Sequence, residues 1–308
     1  MKKANIPQVL FLGNGLNIAF GGISWIKLIE TISIRDDFVW DRSEVPMPLL
    51  AILATNNNIK DALQNHKEFF YGTLQTEEQK AILKTLLTMG FDDILTTNYS
   101  YELEAAGIGK DTATDRDAGR MLRVTSGNVE KRYLLHTYNE VTCESVKNRV
   151  WHIHGEIRKP DSVTLGHYAY GNLLKRIIIE VENRKNIYEL NQKTGKETIL
   201  ESWIDSFILG DVFILGSGFG LSEVDLWWLL NRKYTERAAH GKVHFYEIRS
   251  SKNREKIELL KLMNAEVHSL GFSDDESDPP DYTAFYRDAV EDIRAKMTDN
   301  RKNGSNDI

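Results

Sequence analysis

Two short apolar runs, each stopped by a glycine turn, constrain this chain more than any other feature. Gln8-Val9-Leu10-Phe11-Leu12 leads into Gly13-Asn14-Gly15, and Asp211-Val212-Phe213-Ile214-Leu215 leads into Gly216-Ser217-Gly218. A short run that is apolar throughout, rather than alternating, suits a strand whose sheet is covered on both faces. Such sheets are parallel, flanked by helices, and place ligands beyond the carboxyl ends of their strands, where these turns lie.

The rest of the chain supplies the alternation that this architecture needs. Trp25, Leu28, Ile29 and Ile32 recur at helical spacing behind Ser24, an expected N-cap. Phe91 to Thr97 reads as a second core strand delivering Asn98 and Tyr99 at its end, and Arg149 to His154 as a strand running into a cleft. Val224 to Asn231 predicts a helix, Val243 to Ile248 a strand, Lys252 to Met263 a helix and Glu266 to Leu270 a last strand. Strand and helix in turn predict an α/β fold, a Rossmann-like doubly wound parallel sheet with a helical insertion lobe.

The main domain is expected over residues 1–272, with helical insertions at about 36–90 and 171–205. In the first insertion Pro46 and Pro48 mark a turn, and Thr76 before Glu77 and Glu78 opens a helix. Residues 105–132, with Gly107, Gly109, Gly119 and Gly127 among charges, read as an irregular connection. Ser162 to Leu165 reads as a short strand, and Asn172 to Leu209 as helices broken near Lys193-Thr194-Gly195. Residues 273–308 are expected to be an acidic linker, a helix from Thr283 to Met297 and a disordered polar tail.

Composition excludes several function classes. The 39 Lys and Arg against 45 Asp and Glu leave a net charge of −6, so neither nucleic acid nor an anionic membrane is the expected partner. Cys143 is the single cysteine, which rules out an internal disulfide and a zinc module built on several thiolates. The run Val9 to Leu12 is too short for a secretory core, and no apolar stretch reaches membrane-spanning length. A soluble, cytoplasmic protein is expected.

The chemistry-bearing residues cluster at the expected strand ends. Gly13, Asn14 and Gly15 permit close backbone approach, and the helix after them offers N–H groups to a pyrophosphate; an ordinary strand-to-helix turn uses the same residues. Ile18 stands where the dinucleotide fingerprint has its third glycine. Asn98 can hold a water or a ribose hydroxyl beside a developing oxocarbenium ion, or simply close an Asx-turn. His154, just before Gly155, can accept a proton near neutral pH, or be a satisfied core histidine. His152 and His154, two apart on a strand, are expected to face the same side, so a metal is weighed there and set aside for lack of further ligands nearby. Ser217 can meet a phosphate or ribose, while Glu223 and Asp225 meet ribose hydroxyls or cap the next helix. Trp151, Trp227 and Trp228 read as packing or interface residues.

In this order the motifs resemble the sirtuin superfamily, and within it the sirtuin-like NAD hydrolases of bacterial anti-phage defence. Gly13-Asn14-Gly15 resembles the first glycine motif, Gly22-Ile23-Ser24 the following loop, Thr97-Asn98-Tyr99 the strand-end motif with the catalytic asparagine, His154-Gly155 the catalytic His-Gly, and Gly216-Ser217-Gly218 the later motif that contacts the dinucleotide. Abortive-infection proteins with an Ile-Gly-Asn-Gly-like start share part of the pattern. The resemblance implies that NAD is bound as substrate by Gly13, Asn14, Gly15, Gly22, Thr97, Gly216, Ser217, Gly218, Glu223 and Asp225. It implies that Asn98 and His154 are catalytic and that nicotinamide is cut from ribose. No zinc is expected, because the four-cysteine module of the deacylases cannot be built. A homo-oligomer and a partner protein, such as a helicase-like ATPase or sensor, are expected. The competing readings are a sensor or scaffold that binds NAD or ADP-ribose without turnover and, behind it, a protein deacylase.

Overall fold

The computed structural model describes residues 6–35, 45–113, 122–125, 132–194, 200–236, 241–248, 254–271 and 281–305. Its strands are β1 (Gln8–Leu12), β2 (Asp93–Thr96), β3 (Leu122–Thr125), β4 (Thr137–Cys143), β5 (Val146–His152), β6 (Asp211–Leu215), β7 (Val243–Ile248) and β8 (Ala265–Leu270). They form one sheet in the order β3-β4-β5-β2-β1-β6-β7-β8. From β5 to β8 all neighbours run parallel, and β3 and β4 add an antiparallel edge. The chain moves from β1 to β2 on one side and later returns to β6 on the other. The seam between β1 and β6 is therefore the topological switch point, where ligands of open α/β sheets bind.

The continuous apolar runs follow from this layering. Leu10 and Leu12 of β1 and Phe213 and Leu215 of β6 feed one core, while Val9, Phe11, Val212 and Ile214 feed the core on the opposite face. Each such side chain taken from water contributes about 1.5–3 kcal/mol, so both faces favour apolar residues at every position. The first core is closed by α2 (Trp25–Ile32), α3 (Met47–Ala54), α5 (Glu77–Thr88), α6 (Glu102–Ile108) and α11 (Tyr282–Ser305). The second is closed by α7 (His167–Thr194), α8 (Trp203–Leu209) and α9 (Val224–Thr235). α1 (Gly15–Ala19), α4 (Ile59–Asn65) and α10 (Arg254–Leu262) complete the helices described. Ser24 and Thr76 cap α2 and α5 as expected, accepting from the backbone N–H of Lys27 and of Gln79.

The buried Asp93 carboxylate ties β2 to its surroundings. It accepts from Trp151 Nε1 at 2.6 Å, Ser206 Oγ at 2.6 Å and Arg149 at 2.8 Å. Burial pushes its pKa up to about 6 despite these donors.

Several expectations need correction. Residues 162–165 are not a strand: Pro160–Ser162 is a 3-10 turn, and Thr164 N–H donates to His154 O at 2.7 Å. The segment braces the turn after β5, and its backbone groups are engaged there instead of in the sheet. Within 105–132, α6 extends to Ile108 and β3 pairs with β4; residues 114–121 and 126–131 lie outside the described residues. The tail does not unravel after Met297, because α11 continues to Ser305, propagating from a turn anchored by Phe285, Tyr286, Ala289 and Ile293 in the core. Residues 306–308, residues 36–44 of the first insertion and most of the acidic linker lie outside the described residues. Among the described residues no helix is long and apolar enough to cross a membrane.

Candidate functional site

The two glycine turns are built against each other. Gly13 N–H donates to Leu215 O at 2.9 Å and Gly15 N–H to Gly216 O at 2.7 Å, extending the β1–β6 pairing past the strands. A methyl group at Gly13 would lie 2.5 Å from Gly216 O and 2.6 Å from Ser217 Cα; at Gly15 it would lie 2.6 Å from Gly216 O and 2.8 Å from Tyr286 Oη. The close approach that demands these glycines is that of backbone to backbone and to α11. Gly218 differs, with nothing within 4 Å of the place its side chain would occupy. α1 has five residues and Gly15 N–H is already bonded, so the expected helix N-terminus is a short one.

A cavity of about 570 Å³ opens over this seam, within the size range of small-molecule sites. Gly13, Asn14, Gly15, Thr97, Gly216, Ser217, Gly218 and Glu223 all line it, together with Tyr170, Tyr282 and Tyr286. A second cavity of about 120 Å³ shares Asn14 and Trp25 with the first and is lined by Gly22, Asn98 and Glu102.

Asn14 acts through its side chain on the fold. Its Nδ2 donates to Ile23 O at 2.7 Å and its Oδ1 accepts from Asn17 Nδ2; Asn17 Oδ1 in turn accepts from Gln79 Nε2 at 3.0 Å. This chain of amides fixes the Gly21–Ser24 loop as the roof of the smaller cavity. Gly22 N–H donates to Asn17 O at 2.7 Å, and the close pass leaves no room for a side chain.

Asn98 emerges from β2 with its backbone held: its N–H donates to Thr96 Oγ1, and its carbonyl is 2.7 Å from His152 Nδ1. Its side-chain Oδ1 is buried without a hydrogen-bond partner among the described residues. A buried amide oxygen left unpaired costs about 1–3 kcal/mol, which a ligand hydroxyl or water can recover. Glu102 lies nearby beneath Gly72, accepts from Ser100 Oγ, and is pushed up to about 7 by burial.

The two histidines do not share a side. β5 ends at His152, so the alternation that would align His154 with it stops there. His152 Nε2 is 2.8 Å from Glu104 Oε1; burial opposes its charge, but Glu104 prevails and raises its pKa to about 8. His154 is fully buried and its Nε2 is 2.8 Å from Asp225 Oδ2, with Nδ1 unpartnered among the described residues. Burial again opposes the charge, yet Asp225 and then Glu223 outweigh it and raise the pKa. The ring packs edge-to-face against Tyr170, which lines the cavity, as His154 itself does not.

Glu223 and Asp225 therefore part company. Glu223 lines the cavity and accepts from Gly220 N–H at 2.7 Å; burial raises its pKa. Asp225 is fully buried on His154, and neither carboxylate caps α9. Ser217 Oγ accepts from Phe219 N–H, and Trp227 is engaged within the fold, donating to Gly220 O. The turns and Asn98 thus flank adjoining cavities, whereas His154 stands behind a wall. Tyr170, Tyr286, Asn17, Gln79 and Glu102 carry no motif, and their roles arise only from packing.

The family model for the SIR2-like domain matches residues 92–268, more than half of the chain. The chain belongs to the SIR2-like family. No curated protein matches it. The matched span holds Asn98, His154 and the second glycine turn, and the sheet inserts β1 and the first turn into its middle. A SIR2-like domain takes NAD as substrate, and the activity of this chain is NAD-related. The residues fit that ligand: a paired glycine cleft of sufficient size, an acid on its wall, and an unpaired amide oxygen at the smaller cavity that adjoins it.

Proposed function

We propose that the chain is an NAD glycohydrolase, releasing nicotinamide and ADP-ribose. The observation that carries this reading is the buried, unpartnered Oδ1 of Asn98 at a small cavity adjoining the glycine cleft. In the proposed reaction the bond between ribose C1′ and the nicotinamide nitrogen breaks, and nicotinamide leaves with the electron pair as a neutral molecule. Water adds to C1′ and gives up a proton. Asn98 orients that water or a ribose hydroxyl, and its fixed dipole stabilises the oxocarbenium-like transition state without reorganisation. His154, made more basic by Asp225, takes the proton. Gly13, Asn14, Gly15, Gly22, Thr97, Gly216, Ser217 and Gly218 hold the dinucleotide, and Glu223 meets a ribose hydroxyl; Asp225 serves through His154.

Because His154 is fully buried against Tyr170, a residue of the cleft wall, the proposal requires the wall to open at this ring for turnover. That requirement suits a protein kept silent until an activating event, here an anti-phage response that depletes NAD, through self-association or a sensor or helicase-like partner. The burial of His154 equally favours a second reading, an NAD or ADP-ribose sensor without turnover. Incubating pure protein with NAD and measuring free nicotinamide separates the two. Hydrolysis that falls at least a hundredfold in Asn98→Ala and in His154→Ala, with folding intact, is the expected result. Parental rates in both variants would refute the assignment, and binding with no nicotinamide under any activating condition would favour the sensor.

A further inference from the structure

A second cluster lies away from the cleft, between the β7–β8 edge and α11. His244 on β7 pairs across from Glu266 on β8, and His268 lies two residues further along the same face of β8. Their His244 Nδ1, His268 Nε2 and Glu266 Oε2 atoms converge: Nδ1 is 3.2 Å from Nε2 and 3.3 Å from the carboxylate oxygen, and one ligand atom from each residue falls within 4.8 Å of the others.

We propose that His244, Glu266 and His268 bind a divalent transition-metal ion, zinc by the choice of ligands, which clips the edge strand β8 to β7. Ligand atoms about 2.0–2.1 Å from a tetrahedral ion stand about 3.3 Å apart; His244 Nδ1 keeps that spacing to both partners, and His268 and Glu266 lie within 4.8 Å of each other, so a small side-chain adjustment closes the third edge. Hydrogen bonding explains the cluster less well. A proton on His244 Nδ1 serves Glu266 or His268 but not both at full strength, and a proton on His268 Nε2 turns the Nδ1 lone pair toward a carboxylate. A cation satisfies all three.

The surroundings orient the ligands. His244 stacks on Phe213 at 4.7 Å and His268 on Tyr246 at 4.7 Å, which holds both ring planes. Glu266 uses its other oxygen for Lys242, at 2.5 Å, leaving Oε2 for the ion. Asp292 of α11 accepts from Tyr246 Oη and stands 3.9 Å from His268 Nδ1, beyond hydrogen-bond reach but on the side where a carboxylate backs a ligating imidazole. It also pairs with Lys296, limiting that cation's repulsion. Glu266 and His268 keep partial exposure, which gives the ion a path in.

The test uses the full chain without a polyhistidine tag, stripped with a chelator and titrated with Zn²⁺ against a chromogenic indicator. About one equivalent should bind, with affinity at least tenfold weaker in His268→Ala and in Glu266→Gln, two partly exposed positions whose folding circular dichroism verifies. Co²⁺ should give the intense visible bands of a four-coordinate site in the parent only. Zinc uptake by the parent no greater than by the doubly substituted protein, or equal cobalt spectra, would overturn the proposal.

Discussion

Gly13→Ala tests the joint between the two turns. The added methyl would stand 2.5 Å from Gly216 O, 2.6 Å from Ser217 Cα and 2.9 Å from Gly216 C, all backbone atoms of the neighbouring turn. Even to reach 3.0 Å, the closest approach such atoms tolerate, the turns must part by about 0.5 Å. Parting stretches the bonds Gly13 N–H to Leu215 O and Gly15 N–H to Gly216 O, now 2.9 and 2.7 Å. Overpacking costs about 1–3 kcal/mol, and each of the two weakened bonds up to about 1 kcal/mol, giving about 1–5 kcal/mol in all. With a urea slope of about 3 kcal/mol per molar, the unfolding midpoint should fall by roughly 1 M. NAD binding should weaken with it, because the seam under the cleft has opened. Gly218→Ala is the internal control: its methyl meets nothing, so the midpoint should stay put while any ligand contact at that turn is lost. If both variants lose stability equally, or Gly13→Ala unfolds at the parental midpoint, the backbone joint does not explain these glycines.

Two further predictions concern charge. In Asp225→Asn, burial acts on His154 with only Glu223 left to oppose it, so its pKa should fall from the parental value, read from the imidazole resonances in an NMR titration. Since the raised pKa of His154 stabilises the fold fully below 6.5 and ceases to do so as pH rises through the folded value, the stability gap between parent and variant should be widest in acid; a constant gap from pH 5 to 9 would contradict this. Glu102 keeps its proton in the fold to about pH 7 but loses it in the unfolded chain near 4.5, so the folded state binds more protons between these values and parental stability should fall as pH rises across that window. Urea midpoints of Glu102→Gln should lack this part of the decline.

The pattern of the sheet was readable because it is a periodic demand. β1 and β6 carry apolar residues at every position after Gln8 and Asp211, since alternate side chains enter two cores, whereas β7 and β8 interleave polar residues and were placed within a residue by their apolar positions between helices. β4 was missed because Thr137–Cys143 mixes polar and apolar residues on an edge segment, where burial is incomplete and the local signal weak. The helix to Ser305 was missed for the opposite reason: its polar end belongs to a helix nucleated by apolar residues packed far upstream.

The amino-acid order by itself determined which residues lie at strand ends, because a backbone that must reverse beside a buried strand selects glycine and asparagine locally. Hence Gly13, Asn14, Asn98, His154 and Gly216 to Gly218 could be named from the chain alone. What each side chain does there was decided only by the tertiary structure. Gly13 makes room for another turn, Asn14 bonds to Ile23 O and Asn17, Asp225 is consumed by His154, and Tyr170 joins that imidazole to the cleft wall. These partners are remote along the chain, and hydrogen bonds and contact depend on separations in space that no local pattern encodes.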